Sequence, residues 1–183
     1  MSQFPNNSGG SINGKKASEE ESKYKSKYPE ARLSYDFDVD QLIKYGEEAA
    51  KKGATQYYFI NGLDSKGNTT LNYGFIDEAG KWVVKPGKLA LKQAKSFKKA
   101  HPTETRAYGW GTASLTPWLI KKQAAGADIV SCCNGVDDNG NNTLLVRADQ
   151  TLSLSRSTTT EDDEDAAFNI ATLCPPLCGG GED

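Results

Sequence analysis

The phrase NGLDSKGNTTL at residues 61–71 returns seventy-three positions later as NGVDDNGNNTL at residues 134–144. A chain that writes one phrase twice must build one local structure twice, which restricts it to folds that hold that element in duplicate. Aligned without gaps, residues 53–71 and 126–144 agree at nine of nineteen positions. Tyr24-Lys25 meets Phe97-Lys98 and Pro29 meets Pro102 at the same spacing. One inserted residue then brings Arg32 onto Arg106, and Leu42-Ile43-Lys44 matches Leu119-Ile120-Lys121 if the second copy's helix is about one turn shorter, a deletion that keeps a helix face in phase.

The expected division is therefore a disordered leader at 1–16, unit A at 17–87, its tandem duplicate unit B at 88–155, and an acidic tail at 156–183. In unit A a first helix runs over 17–27 and in unit B over 89–100, each turning an aromatic, Tyr24 or Phe97, inward and stopped by Pro29 or Pro102. An extended piece follows, ARLSYDFD or TRAYGWGT, leading to a second helix. Its N-cap is expected at Asp40 or at Thr116, the latter ahead of Pro117. Gly53 closes the second helix of unit A.

The runs QYYFI, TLNYGFI, DIVSCC and TLLVRA are rich in strand formers, and the repeated phrase supplies Asp and then Gly three residues on, at Asp64–Gly67 and Asp137–Gly140. Asp caps the first position of a tight turn and Gly accepts positive φ, so the phrase is hairpin chemistry, used a third time at Asp77–Gly80. The fold class that follows is α+β: two pseudo-symmetric lobes, each with two helices packed on a small, mostly antiparallel sheet.

The same phrase resembles part of a calcium loop, but with Gly140 at the loop glycine, Gly135 takes the first ligand position, and the twelfth lacks glutamate in both copies. Asp36, Asp38 and Asp40 alternate as metal ligands in a strand would, yet unit B has glycine and tryptophan there, so a helix-capping strand end is the preferred reading. Cys132 and Cys133 stand where unit A has Phe59 and Ile60, which makes them packing residues; an enzyme would have to pair one of them with His101, the only histidine. His101 falls opposite Tyr28, again just before proline, as a helix-end packing residue would. Cys174 and Cys178, in CPPLC, have the spacing of a disulfide or of half a metal site. The remaining motifs of phosphate loops, dinucleotide folds and hydrolases do not occur, and no cofactor or metal is assigned.

Charge is divided unevenly. Residues 156–183 carry seven acids against Arg156, and the rest of the chain holds 21 basic and 17 acidic residues. Lys88, Lys92, Lys95 and Lys99 recur at helical spacing, a basic stripe able to take phosphates as a weak nucleic-acid binder would, or to meet the chain's own acidic segment at 161–165. Hydrophobic residues make up 37% and no apolar run is long enough to span a membrane, which points to a soluble protein, cytoplasmic by default for want of a secretory signal.

The order of elements, with helices ending in YPEAR or HPTETRA and in KGA or AGA, a hairpin of the GLDSKGNTTL kind and a final CPPLC, resembles a group of small uncharacterised bacterial proteins in which one such unit precedes a Cys-Pro-Pro tail. The resemblance covers about residues 17–178 and implies a bacterial source without implying an activity. The functional expectation is a non-enzymatic binding or assembly protein, acting on a protein partner or on itself, because a catalytic centre would persist as a recognisable constellation in one copy.

Overall fold

The computed structural model describes residues 9–105, 107–149, 167–169 and 172–174. In chain order they form β1 (Gly10–Ile12), α1 (Gly14–Lys27), β2 (Ser34–Asp38), α2 (Val39–Lys51), β3 (Gln56–Leu63), β4 (Thr69–Ile76), β5 (Trp82–Val84), α3 (Lys88–Ala100), β6 (Ala107–Gly111), α4 (Thr112–Ala124), β7 (Ile129–Val136), β8 (Asn142–Asp149), β9 (Ala167–Asn169) and β10 (Thr172–Cys174). The fold is α+β, with two antiparallel sheets, and no described helix is long and apolar enough to cross a membrane.

The spacing between equivalent elements is constant. From β2 and β6 through α2 and α4 to the hairpins β3–β4 and β7–β8, every boundary is displaced by seventy-three residues. The insertion expected near Arg32 and the shortened second helix are therefore absent: Leu42 corresponds to Leu115, not Leu119, and both second helices have 13 residues. The Leu-Ile-Lys match was a coincidence of composition one turn out of register.

The larger correction concerns which pieces belong together. One sheet has the order β10-β6-β3-β4-β5 and the other β1-β9-β8-β7-β2. One compact unit is built on Gly46–Ser114 with β10, the other on Gly9–Tyr45 with Leu115–Ile170. The sequence boundary at residue 87 thus cuts through the first unit, whose β5, α3 and β6 follow the hairpin β3–β4 in continuous chain. Each hairpin is completed by the helix and strand of the other repeat: α3 and β6 cover β3, whereas α1 and β2 cover β7. Each unit keeps one first helix whole, and the unit boundary falls inside α2 and inside α4.

The ends are also more structured than their composition suggests. Order extends to β1 within the expected leader, and Asn13 caps α1 by accepting from Lys16 N at 2.8 Å. The stretch expected as a tail contributes β9, with Ala167 and Phe168 buried, and β10, each pairing as a sheet strand. Short strands of small or apolar residues are hidden in a polar sequence because each needs only three paired residues.

In the first unit the core is aromatic. Tyr57, Phe59, Phe75 and Trp110 are almost fully enclosed, and Phe59 meets Trp110 edge to face at 4.8 Å; burying such side chains contributes about 1.5–3 kcal/mol each. The second unit uses smaller groups, Val130, Cys132, Leu144, Leu145 and Ala167, with Trp118 and Phe168 in ring contact at 5.7 Å.

Candidate functional site

The repeated phrase can be read residue by residue from its contacts. Asn61 Nδ2 donates to Thr105 O at 2.9 Å and Asn134 Nδ2 to Arg32 O at 2.9 Å, so the asparagine ties each hairpin to the segment entering the strand beside it. The glycine that follows is a helix seat. A Cβ on Gly62 would lie 2.9 Å from Gln93 Cβ, and one on Gly135 would lie 3.2 Å from Glu20 Cβ, closer than helix and strand can approach if either carried a side chain. In the turns, Asp64 Oδ1 accepts from Lys66 N and Asn68 N, and Asp137 Oδ1 accepts from Asn139 N and Asn141 N. Gly67 and Gly140 sit at φ +83° and +82°, which makes a type I turn with a bulge glycine. The carboxylates are consumed by their own turns, which disposes of the calcium reading.

Where the repeats differ, the two units differ in chemistry. Lys16 and Lys23 of α1 bind Asp138 at 2.5 and 2.8 Å, and Arg147 Nε donates to Glu21 at 2.5 Å. The equivalents of Asp138 and Arg147 in the first hairpin are Ser65 and Gly74, so that hairpin offers no such partners. In the first unit Gln93 instead takes hydrogen bonds from Thr70 Oγ1 and Asn72 Nδ2, both 3.2 Å. The sequence reading missed these ion pairs. Their signal was present in the alignment as Ser65 against Asp138, inside the phrase itself.

Lys88, Lys92, Lys95 and Lys99 are all exposed on α3, opposite Ala90 and Phe97, which are buried. The helix begins on Gly87 without a side-chain cap, has no acid in its first turn and starts with a lysine. A cation at a helix N-terminus opposes the helix dipole. The equivalent positions on α1 are Lys15, Glu19, Ser22 and Ser26, so the shared framework does not require the stripe.

The cysteine-histidine alternative finds its members in separate units. His101 belongs to the first, where it caps α3, stacks on Phe97 at 4.7 Å and places Nδ1 2.9 Å from Glu104 Oε1. Tyr28 caps α1 at the equivalent place and meets Tyr24 at 4.9 Å with the rings tilted. Cys132 and Cys133 belong to the second unit; Cys132 is fully enclosed, and burial pushes its thiol well above the ordinary range, away from nucleophilic use. Asp36 Oδ1 accepts from Ser131 Oγ at 2.6 Å, Asp38 Oδ1 from Gln41 N at 2.8 Å, and Asp40 Oδ1 from Gln123 Nε2. Among the described residues no cluster of His, Cys, Asp and Glu could hold a metal. Cys174 lies in β10, while Cys178 and the acids at 161–165 lie outside the described residues.

A depression of about 250 Å³ in the second unit is lined by Glu21, Ser22, Lys25, Leu33, Ser34 and Cys133. In the first unit the equivalents of Glu21, Ser34 and Cys133 are Ala94, Ala107 and Ile60, which pack together in an apolar cluster. The second unit has more polar side chains at these positions, and Cys133 fills less space than Ile60.

Comparison with protein-family models, with curated proteins and with solved structures finds no match for the chain.

Proposed function

We propose that the protein is a non-enzymatic binding protein whose α3 lysine face docks an acidic segment of a protein partner. One observation carries the reading: four exposed lysines occupy one face of α3 at positions where the structurally equivalent helix has lysine, glutamate and two serines. Lys92, Lys95 and Lys99 belong to one repeat alone, so the common fold does not need them, and a feature of that kind is kept for something other than folding. The chain's own acids at 161–165 are the first competitor for that face, at the high effective concentration of a tethered ligand.

Removing residues 156–183 would also remove β9 and β10, so the test uses substitutions in the full chain. Neutralising Glu161, Asp162, Asp163, Glu164 and Asp165 should raise the salt needed to elute the protein from heparin, and changing Lys88, Lys92, Lys95 and Lys99 to glutamine should lower it. An unchanged elution point for the lysine variant would sink the reading. Titration with a polyglutamate peptide and with single-stranded RNA separates a protein partner from a nucleic acid.

A further inference from the structure

The second unit is assembled from two segments that are far apart in the sequence. Its hairpin β7–β8 and strand β9 come from the C-terminal half, and its α1 and β2 from residues 9–45, with all of the first unit's 46–114 in between. Residues 9–45 therefore form a strap held to the hairpin by non-covalent contacts. β2 pairs with β7 from Ser34↔Cys133 to Asp38↔Ile129, Ala17 is buried against Cys133 and Leu145, and Asn134 binds Arg32 O through its side chain and Leu33 O through its backbone.

The strap and hairpin also carry a matching charge code. Lys16 and Lys23 face Asp138, and Glu21 faces Arg147, whereas the hairpin β3–β4 has Ser65 and Gly74 at those places. The code thus directs the strap to β7–β8 and away from the other hairpin of the same chain. It does not distinguish the strap of one molecule from that of another.

We propose that the β7–β8 hairpin also accepts the strap of a second copy of this chain, so that the protein self-associates by exchanging residues 9–45. Apart from the hinge at residues 45–46, where α2 has to open, the contacts of the strap in the closed monomer are re-formed in such a dimer, and the balance between the two is set by protein concentration. The inference is independent of the lysine face, and its test does not involve that face.

Two experiments on the full chain test it. Ser34 and Cys133 are a directly opposed pair, and the bond from Asn134 N to Leu33 O at 2.8 Å marks them as a non-hydrogen-bonded one, the close kind in which a cross-strand disulfide fits. Ser34→Cys, with Cys174→Ser and Cys178→Ser, is incubated reduced over a range of concentrations and then oxidised. The expected product is a disulfide between the introduced thiol and Cys133 whose intermolecular share rises with concentration. In the second experiment K16E/K23E and D138K are mixed. Each variant is mismatched within itself, but the mutated strap of the first matches the mutated hairpin of the second, and the unmutated strap and hairpin match as well. Mixing should double the mass seen by light scattering. Only intramolecular disulfide at every concentration, together with monomers in the mixture, would overturn the proposal.

Discussion

Glu20 and Gln93 occupy the same place in the two repeats, each on a first helix seated against a hairpin glycine, and they meet different fates. Gln93 is satisfied by Thr70 and Asn72. Glu20 is 1% exposed with Oε2 unpartnered, 3.9 Å from Lys16 through its other oxygen. Burial, the dominant cause, raises its pKa. A carboxyl that binds its proton more tightly when folded stabilises the fold below the unfolded pKa, and that contribution is lost as pH rises through the folded value. Glu20→Gln should therefore add about 1 kcal/mol at neutral pH, with a gain in urea midpoint that shrinks as pH falls toward the ordinary glutamate range. Asp138 has the opposite sign: its hydrogen bonds to Lys16 and Lys23 lower its pKa to about 2, so its support is present above the ordinary aspartate range and lost as pH falls through about 2. The glycine seats give a second prediction. Gly62→Ala places its Cβ against Gln93 Cβ at 2.9 Å and Thr70 Oγ1 at 2.5 Å, whereas Gly135→Ala meets Thr143 Cγ2 at 3.0 Å and Glu20 Cβ at 3.2 Å. Both should destabilise, by about 1–3 kcal/mol, and denaturant titration should find Gly62→Ala the worse.

At the scale of elements, the hairpins were fully legible because a turn is specified by neighbours in sequence: Asp, Gly and Asn within five residues decide it. The starts of the second helices were not. α2 begins at Val39 straight after β2, and α4 at Thr112 straight after β6, leaving Pro117 inside a helix expected to start beside it. The first amides of these helices are met by distant backbone, Val39 N by Asp128 O at 3.0 Å and Thr112 N by Thr55 O at 2.8 Å. At α2 the local cap is Asp38, which accepts from Gln41 N at 2.8 Å, two residues before the expected Asp40, and α4 starts four residues before the expected Thr116. The strands preceding these helices diverge for an equally non-local reason. β6 reads AYGWG, is buried throughout and is paired on both sides, whereas β2 reads SYDFD, ends its sheet and exposes Asp36 and Asp38. Charges on an edge strand discourage further pairing. Replacing Asp36 with valine should therefore promote concentration-dependent aggregation, followed by static light scattering, while the conservative Asp36→Asn should do so less.

At the scale of the molecule, the duplication was legible and its pairing was not. Both hairpins carry the same local pattern, so nothing within either repeat says which strap it takes; that choice rests on residues such as Asp138 and Arg147, whose partners lie more than a hundred positions away. Because these pairs are partly exposed, salt should weaken them. Raising ionic strength should speed amide hydrogen exchange in β2 and β7 while leaving β3 and β6 little changed, since the latter meet across Asn61, Phe59 and Trp110. During synthesis the same closure imposes a delay. The segment 46–114 can fold as soon as it emerges, apart from β10, but α1 and β2 are made first and must wait for Asp149 before their hairpin exists. At about 5–20 residues per second that interval is on the order of 5–20 s, in which α1 and β2 of a nascent chain on a crowded polysome are free to meet a neighbour's finished hairpin before their own exists.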